Sequence, residues 1–126
     1  MKNLNIILIL NTVSCVLFGS LFVMQHEAIH NFLQIPEDLD FLVPASGGVL
    51  LLFAAHLISA IVRKRKIRWE IYYFVIGDIL WVLYSALLII FGVISGTSAL
   101  LCVSGVAILV GTFALLQFTA ANSLTE

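Results

Sequence analysis

Residues 63–68 read Arg63-Lys64-Arg65-Lys66-Ile67-Arg68, and they hold five of the six basic residues in a chain of 126. The sixth, Lys2, stands at the amino terminus. On both sides of this run the sequence is apolar, with 62% hydrophobic and only 10% charged residues overall. Soluble domains carry about 25% charged residues, so this is the composition of a membrane protein. Loops rich in Lys and Arg stay on the cytoplasmic side of a membrane, because translocating them is disfavoured. The acidic residues Glu27, Glu37, Asp38 and Asp40 then fall in the opposite loop.

Crossing a hydrocarbon layer of about 30 Å takes about 20 apolar residues in a helix. Four segments qualify, at about 5–25, 43–62, 69–94 and 98–121. They predict an all-α, four-helix transmembrane bundle, a single integral membrane domain over 1–126 with both termini cytoplasmic. Short connections join the second helix to the third and the third to the fourth, which makes those neighbours antiparallel. The longer connection, 26–42, mixes Phe32, Leu33, Ile35 and Phe41 with its acids and is broken by Pro36 and Pro44. It reads as an outer interfacial segment, with helix one running a turn or two past Gln25.

Several other assignments follow. The amino terminus resembles a signal peptide, but hydrophobicity runs on to Met24 without a small-residue cleavage site, so an uncleaved helix is expected. Cys15 and Cys102 lie in different helices at different depths and are expected to be unpaired. Small residues four apart (Cys15 and Gly19, Ala55 and Ser59, Gly92 and Gly96, Ala107 and Gly111) have the spacing of close helix contact. Leu17-Phe18-Gly19 echoes Ile90-Phe91-Gly92, and Ser46-Gly47 echoes Ser104-Gly105, as in a two-plus-two repeat. Trp69, Tyr72 and Tyr73 follow the basic run as an interfacial aromatic belt.

Each helix carries one strongly polar residue. Ten residues past Arg68, Asp78 lies about 15 Å into the layer, on a stripe of Phe74, Asp78, Trp81, Ser85 and Gly92. His56 is the expected partner of Asp78, and Asn11 and Gln117 complete a layer at a similar level. Such a layer either fixes helix register through hydrogen bonds or, as carboxyl beside imidazole, forms a protonation site. A second pattern, His26-Glu27-Ala28-Ile29-His30, matches the H-E-x-x-H of zinc peptidases, where two His residues share a helical face and Glu acts as base. Its third ligand would come from Glu37, Asp38 or Asp40. No phosphate-binding loop, nucleophile elbow or paired-Cys metal site is present in the sequence.

The segment Gly47-Gly48-Val49-Leu50-Leu51-Leu52-Phe53-Ala54-Ala55, the basic loop and Asp78-Ile79-Leu80-Trp81-Val82-Leu83 resemble small four-helix bacterial inner-membrane proteins of the DoxX-like type. The resemblance implies a four-helix fold in a bacterial cytoplasmic membrane and no particular activity; His26–His30 is not part of its pattern. The reading is therefore a non-enzymatic accessory or assembly protein without a cofactor. A proton-coupled small-molecule carrier or channel using Asp78 is the alternative, and a metalloenzyme at His26 and His30 the third. Its partners are the lipid bilayer, anionic lipid at Arg63, Lys64, Arg65, Lys66 and Arg68, and a second copy or a larger membrane protein, but no nucleic acid. If the basic run sets the topology, a reporter that works only in the cytoplasm stays active when fused after residue 126. Replacing Arg63, Lys64, Arg65, Lys66 and Arg68 by Gln should scramble that orientation.

Overall fold

The computed structural model describes residues 2–63, 67–94 and 96–122, so Lys64, Arg65 and Lys66 lie outside the described residues. Among the described residues five α-helices follow one another: α1 (Lys2–Met24), α2 (His26–Leu33), α3 (Leu42–Val62), α4 (Arg68–Ile90) and α5 (Thr97–Asn122). Among the described residues there is no strand. All but α2 are long and apolar enough to cross a membrane. Their outer faces carry large apolar side chains such as Val13, Leu52 and Leu101, as a bundle surrounded by lipid requires.

The helix ends have local causes. Gln25 (φ −117°, ψ 35°) separates α1 from α2, so the first helix does not run on; the chain keeps turning, with Gln25 N donating to Leu21 O at 2.8 Å. Gln34, at φ 56°, ends α2 in the left-handed conformation, and Pro36 then leads into a 3-10 turn over Glu37–Leu39. Pro44 sits in the first turn of α3, where its missing N–H leaves no intrahelical bond unmade. The third span is shorter than the expected 69–94, because Gly92 (φ 72°) stops it. Past that point Val93 N donates to Leu88 O at 2.9 Å, and Ile94 folds back into a buried position.

Packing departs from sequence adjacency. The tightest neighbours are α1 with α3 and α4 with α5, and these two pairs meet chiefly where α1 crosses α5. Gly19 and Gly47 explain the first pair. A Cβ on Gly47 would lie 2.8 Å from the Gly19 carbonyl oxygen and 2.8 Å from the Phe22 Cβ. Absent side chains thus let two backbones touch, the closest approach open to helices in a membrane. The inward stripe of α3 (Val43, Gly47, Ala54, Leu57, Ala60) accordingly lies closest to α1, and its Ala54, Leu57 and Ala60 also join Ile71 and Phe74 of α4 in one apolar cluster. Between α3 and α4 the contacts are made by large side chains. Phe53 sits edge-on to Phe74 at 5.6 Å and covers Gly77, while Ser46 Oγ and Tyr84 OH bond at 2.9 Å.

The small-residue pattern is thus only partly structural. Gly92 and Gly96 both have positive φ in the loop between α4 and α5, while Ala55 and Ser59 are exposed. The internal echo fails for the same reason: Gly19 is a helix contact, Gly92 a loop residue, and Gly105 faces open space.

Two apolar clusters mark the ends. Leu4, Leu8, Leu57, Ile71, Phe74 and Ala121 gather at the basic-loop end. Ile35, Val43, Ile94 and Ala99 gather at the other, with Ile29 and Leu33 of α2 packed against them. The start of α1 and the end of α5 therefore lie on the same side as the basic loop. There Arg63 pairs with Glu70, Arg68 Nε donates to Ala121 O at 3.1 Å, and Tyr72 OH to Asn122 Oδ1 at 2.5 Å. The Gly19–Gly47 contact makes a specific demand: Gly47→Val overpacks it, at a cost of about 1–3 kcal/mol, and should lower the melting midpoint in detergent. Gly48→Ala, with nothing within 4 Å of the new Cβ, should leave the midpoint unchanged.

Candidate functional site: a buried carboxylate beneath an apolar cavity

The interior polar layer holds three of the four residues expected there. Asn11 on α1, Asp78 on α4 and Gln117 on α5 are all buried, with relative exposures of 1%, 3% and 0%. Asn11 Nδ2 donates to Asp78 Oδ2 at 3.0 Å and to Gln117 Oε1 at 3.0 Å. Gln117 Nε2 donates to the same Asp78 Oδ2 at 2.7 Å. Cys15, one turn along α1, turns its thiol toward Asn11 Oδ1 at 3.6 Å. The antiparallel crossing of α1 and α5 brings residues 106 positions apart into one ring.

His56 does not join this layer. It is exposed, and its Nδ1 lies 3.2 Å from Tyr73 OH, more than a turn of α4 closer to the basic loop than Asp78. The cause lies in α3: the side packed on α1 carries Ala54 and Leu57, which leaves His56 off the interior, and Phe53 fills the space facing Gly77. Adjacency of α3 and α4 in the chain pointed to His56. The glycines at 19 and 47 were the signal that α3 packs on α1 instead.

Both amide donors meet Oδ2 of Asp78, and Oδ1 receives no hydrogen bond from any described residue. Asp78 and Asn11 also line a cavity of about 690 Å³, within the size range of small-molecule sites. This cavity occupies the wedge between α3 and α4. Asn11, Phe53 and Asp78 are at one end, and Ile29, Phe32 and Leu33 of α2 close the other. The stripe expected on α4 holds through Phe74, Asp78, Trp81 and Ser85, the last three of which line the cavity. Above the floor, Trp81 and Phe22 stack at 6.5 Å, and the Ser46–Tyr84 bond bridges the wedge. Cys15 is buried and Cys102 exposed, and both are free thiols.

The H-E-x-x-H residues fall on α2, at the far end from the carboxylate. His26 and Glu27 are exposed, while His30 is half-buried with its Nδ1 enclosed and without a hydrogen-bond partner. Among the described residues no three His, Cys, Asp or Glu side chains come together, so Glu37, Asp38 and Asp40 do not complete a metal site with His26 and His30. The geometry leaves His26 and His30 on α2, and neither lines the cavity.

No protein-family model, no curated protein and no solved structure matches this chain.

Because Asn11, Asp78 and Gln117 bond in a ring, their contributions are coupled. Asn11→Leu and Gln117→Leu should each destabilise the protein by about 0.6–2 kcal/mol. The double variant should cost less than the sum, measured as a double-mutant cycle of thermal midpoints.

Proposed function

We propose that this chain is a non-enzymatic polytopic protein of a bacterial cytoplasmic membrane, with both termini inside, serving as an accessory or assembly partner. The partner is a second copy or a larger membrane protein. The observation that carries this reading is the closed ring of Asn11, Asp78 and Gln117, whose three hydrogen bonds to one another hold α1, α4 and α5 in register. Orientation rests on the basic run and Lys2. Affiliation with DoxX-like proteins rests on residues 47–55 and 78–83. Anionic lipid is the proposed contact of the basic loop, where Arg63 and Arg68 also tie the loop to α4 and α5.

A second reading has its own observation. Asp78 is both ring member and cavity wall, with Oδ1 unbonded among the described residues, and that favours a proton-coupled carrier or channel. Protons would load on Oδ1, and Asn11 and Gln117 take the tuning role first expected of His56. A metalloenzyme is not proposed, because His26 and His30 have no third ligand among the described residues.

Asp78→Asn separates the two. Under the accessory reading, native mass spectrometry after mild extraction shows a dimer or a co-purified partner, and the variant melts several degrees lower. A bare monomer with an unchanged midpoint overturns it. The carrier reading requires that the variant, folded in vesicles, lose proton-linked flux.

A further inference from the structure

We propose that the cavity between α3 and α4 binds a lipophilic organic cation, with Asp78 as counter-ion and the aromatic walls as its bed. This rests on the second reading above and names the substrate class of that site. The argument begins with charge. Among the described lining residues Asp78 is the sole carboxylate, and no Lys, Arg or His is present. The other titratable groups facing the cavity are Cys15 from α1, Tyr73 and Tyr84 from α4, and Cys102 from α5; none lines it from α2 or α3. A thiol or phenol carries no positive charge in either form. An ionised Asp78 therefore has two amide donors on Oδ2 and no cation of its own. Buried charges in a membrane are found with a partner, and here either a proton or a bound cation supplies it.

The walls select the kind of cation. Phe18, Phe22, Phe32, Phe53, Tyr73, Trp81 and Tyr84 all line the space, and most of the remaining lining residues are aliphatic. A hydrated metal ion or a primary ammonium would lose its water there without a shell of oxygens to replace it. A cation with its charge spread over aryl or alkyl groups is weakly hydrated, gains apolar burial, and meets ring faces that attract positive charge. The opening fits the same ligand. Helices α3 and α4 stand apart except at side chains, so entry is lateral, from the lipid where such cations concentrate.

Charge balance follows. Cation and proton compete for one carboxylate: where Asp78 is protonated, binding the cation releases that proton to water, and raising proton concentration displaces the cation. Affinity therefore falls as pH falls.

The test uses the full-length protein in detergent, with tetraphenylphosphonium as probe and triphenylphosphine oxide as its neutral counterpart, followed by calorimetry. Saturable binding of the phosphonium, tighter at pH 8 than at pH 6 and weakened about tenfold or more in Asp78→Asn, is the expected result. Should Asp78→Asn fail to fold, Asp78→Glu is expected to retain binding and Trp81→Leu to weaken it severalfold. No saturable binding, equal affinity for the neutral counterpart, or affinity indifferent to these substitutions overturns the proposal. Proton-linked flux in vesicles separates it from the carrier reading. Asp78-dependent flux without phosphonium binding removes the cation class and keeps the carrier. Asp78-dependent binding without any flux keeps the cation site and removes the carrier.

Discussion

A carboxylate inside an apolar bundle must be given donors, and here two helices from different packing pairs supply them to one oxygen. Asn11 belongs to α1, which packs on α3, and Gln117 to α5, which packs on α4. The ring they close with Asp78 is therefore a polar joint between two helix pairs that otherwise meet through apolar and aromatic side chains and the Ser46–Tyr84 bond. Apolar contacts offer little discrimination between registers in lipid, since a leucine is equally at ease against hydrocarbon or against another leucine. A hydrogen bond is different, because a slip of one residue on α1 or α5 would strand a polar group. The joint thus sets both the depth and the rotation of α1, α4 and α5.

What stands around the joint is decided by side-chain size. Where Gly19 faces Gly47 the helices touch along their backbones; where Phe53, Phe74, Tyr73, Trp81 and Tyr84 intervene, α3 and α4 are held apart. A single helix, α3, shows both behaviours on two faces. Its small face lies against α1, and its bulky face props open a wedge that α2 roofs. His56 stands on the ring-filled side, three residues from Phe53 and edge-on to Tyr73 at 5.7 Å, and remains exposed there, away from the small face that meets α1.

Much of this was legible in the sequence. Four apolar spans, the 26–42 connection at the end opposite the 63–67 connection, and the presence of Asn11, Asp78 and Gln117 at one level all follow from length, charge and counting at 1.5 Å per residue. Depth is a local property of a helix, and counting recovers it. Azimuth and partner choice are not local. They depend on which of several small or bulky faces wins, and Gly47 beat the short 63–67 connection in choosing the neighbour of α3. Glycine is also ambiguous in a hydrophobic run: Gly19 served helix contact, whereas Gly92, in a similar tripeptide, ended a helix by taking positive φ. Nothing in composition distinguishes those two uses.

An apolar void of this volume has a different meaning in a membrane than in water. In a soluble core, surrounding side chains would gain by collapsing into it, and its lining would forfeit dispersion contacts while it stayed empty. Between helices in a bilayer, acyl chains can fill the wedge at little cost, so size alone does not mark a binding site. What marks this one is its floor. Hydrocarbon offers nothing to Asp78, and the two amide groups bonded to Oδ2 leave Oδ1 unmet among the described residues. Any lipid tail in the wedge leaves that atom unsatisfied, whereas a molecule that brings positive charge or a proton to it does not. The selectivity of the cavity therefore lies in one oxygen atom, and the apolar walls determine what kind of molecule can reach it.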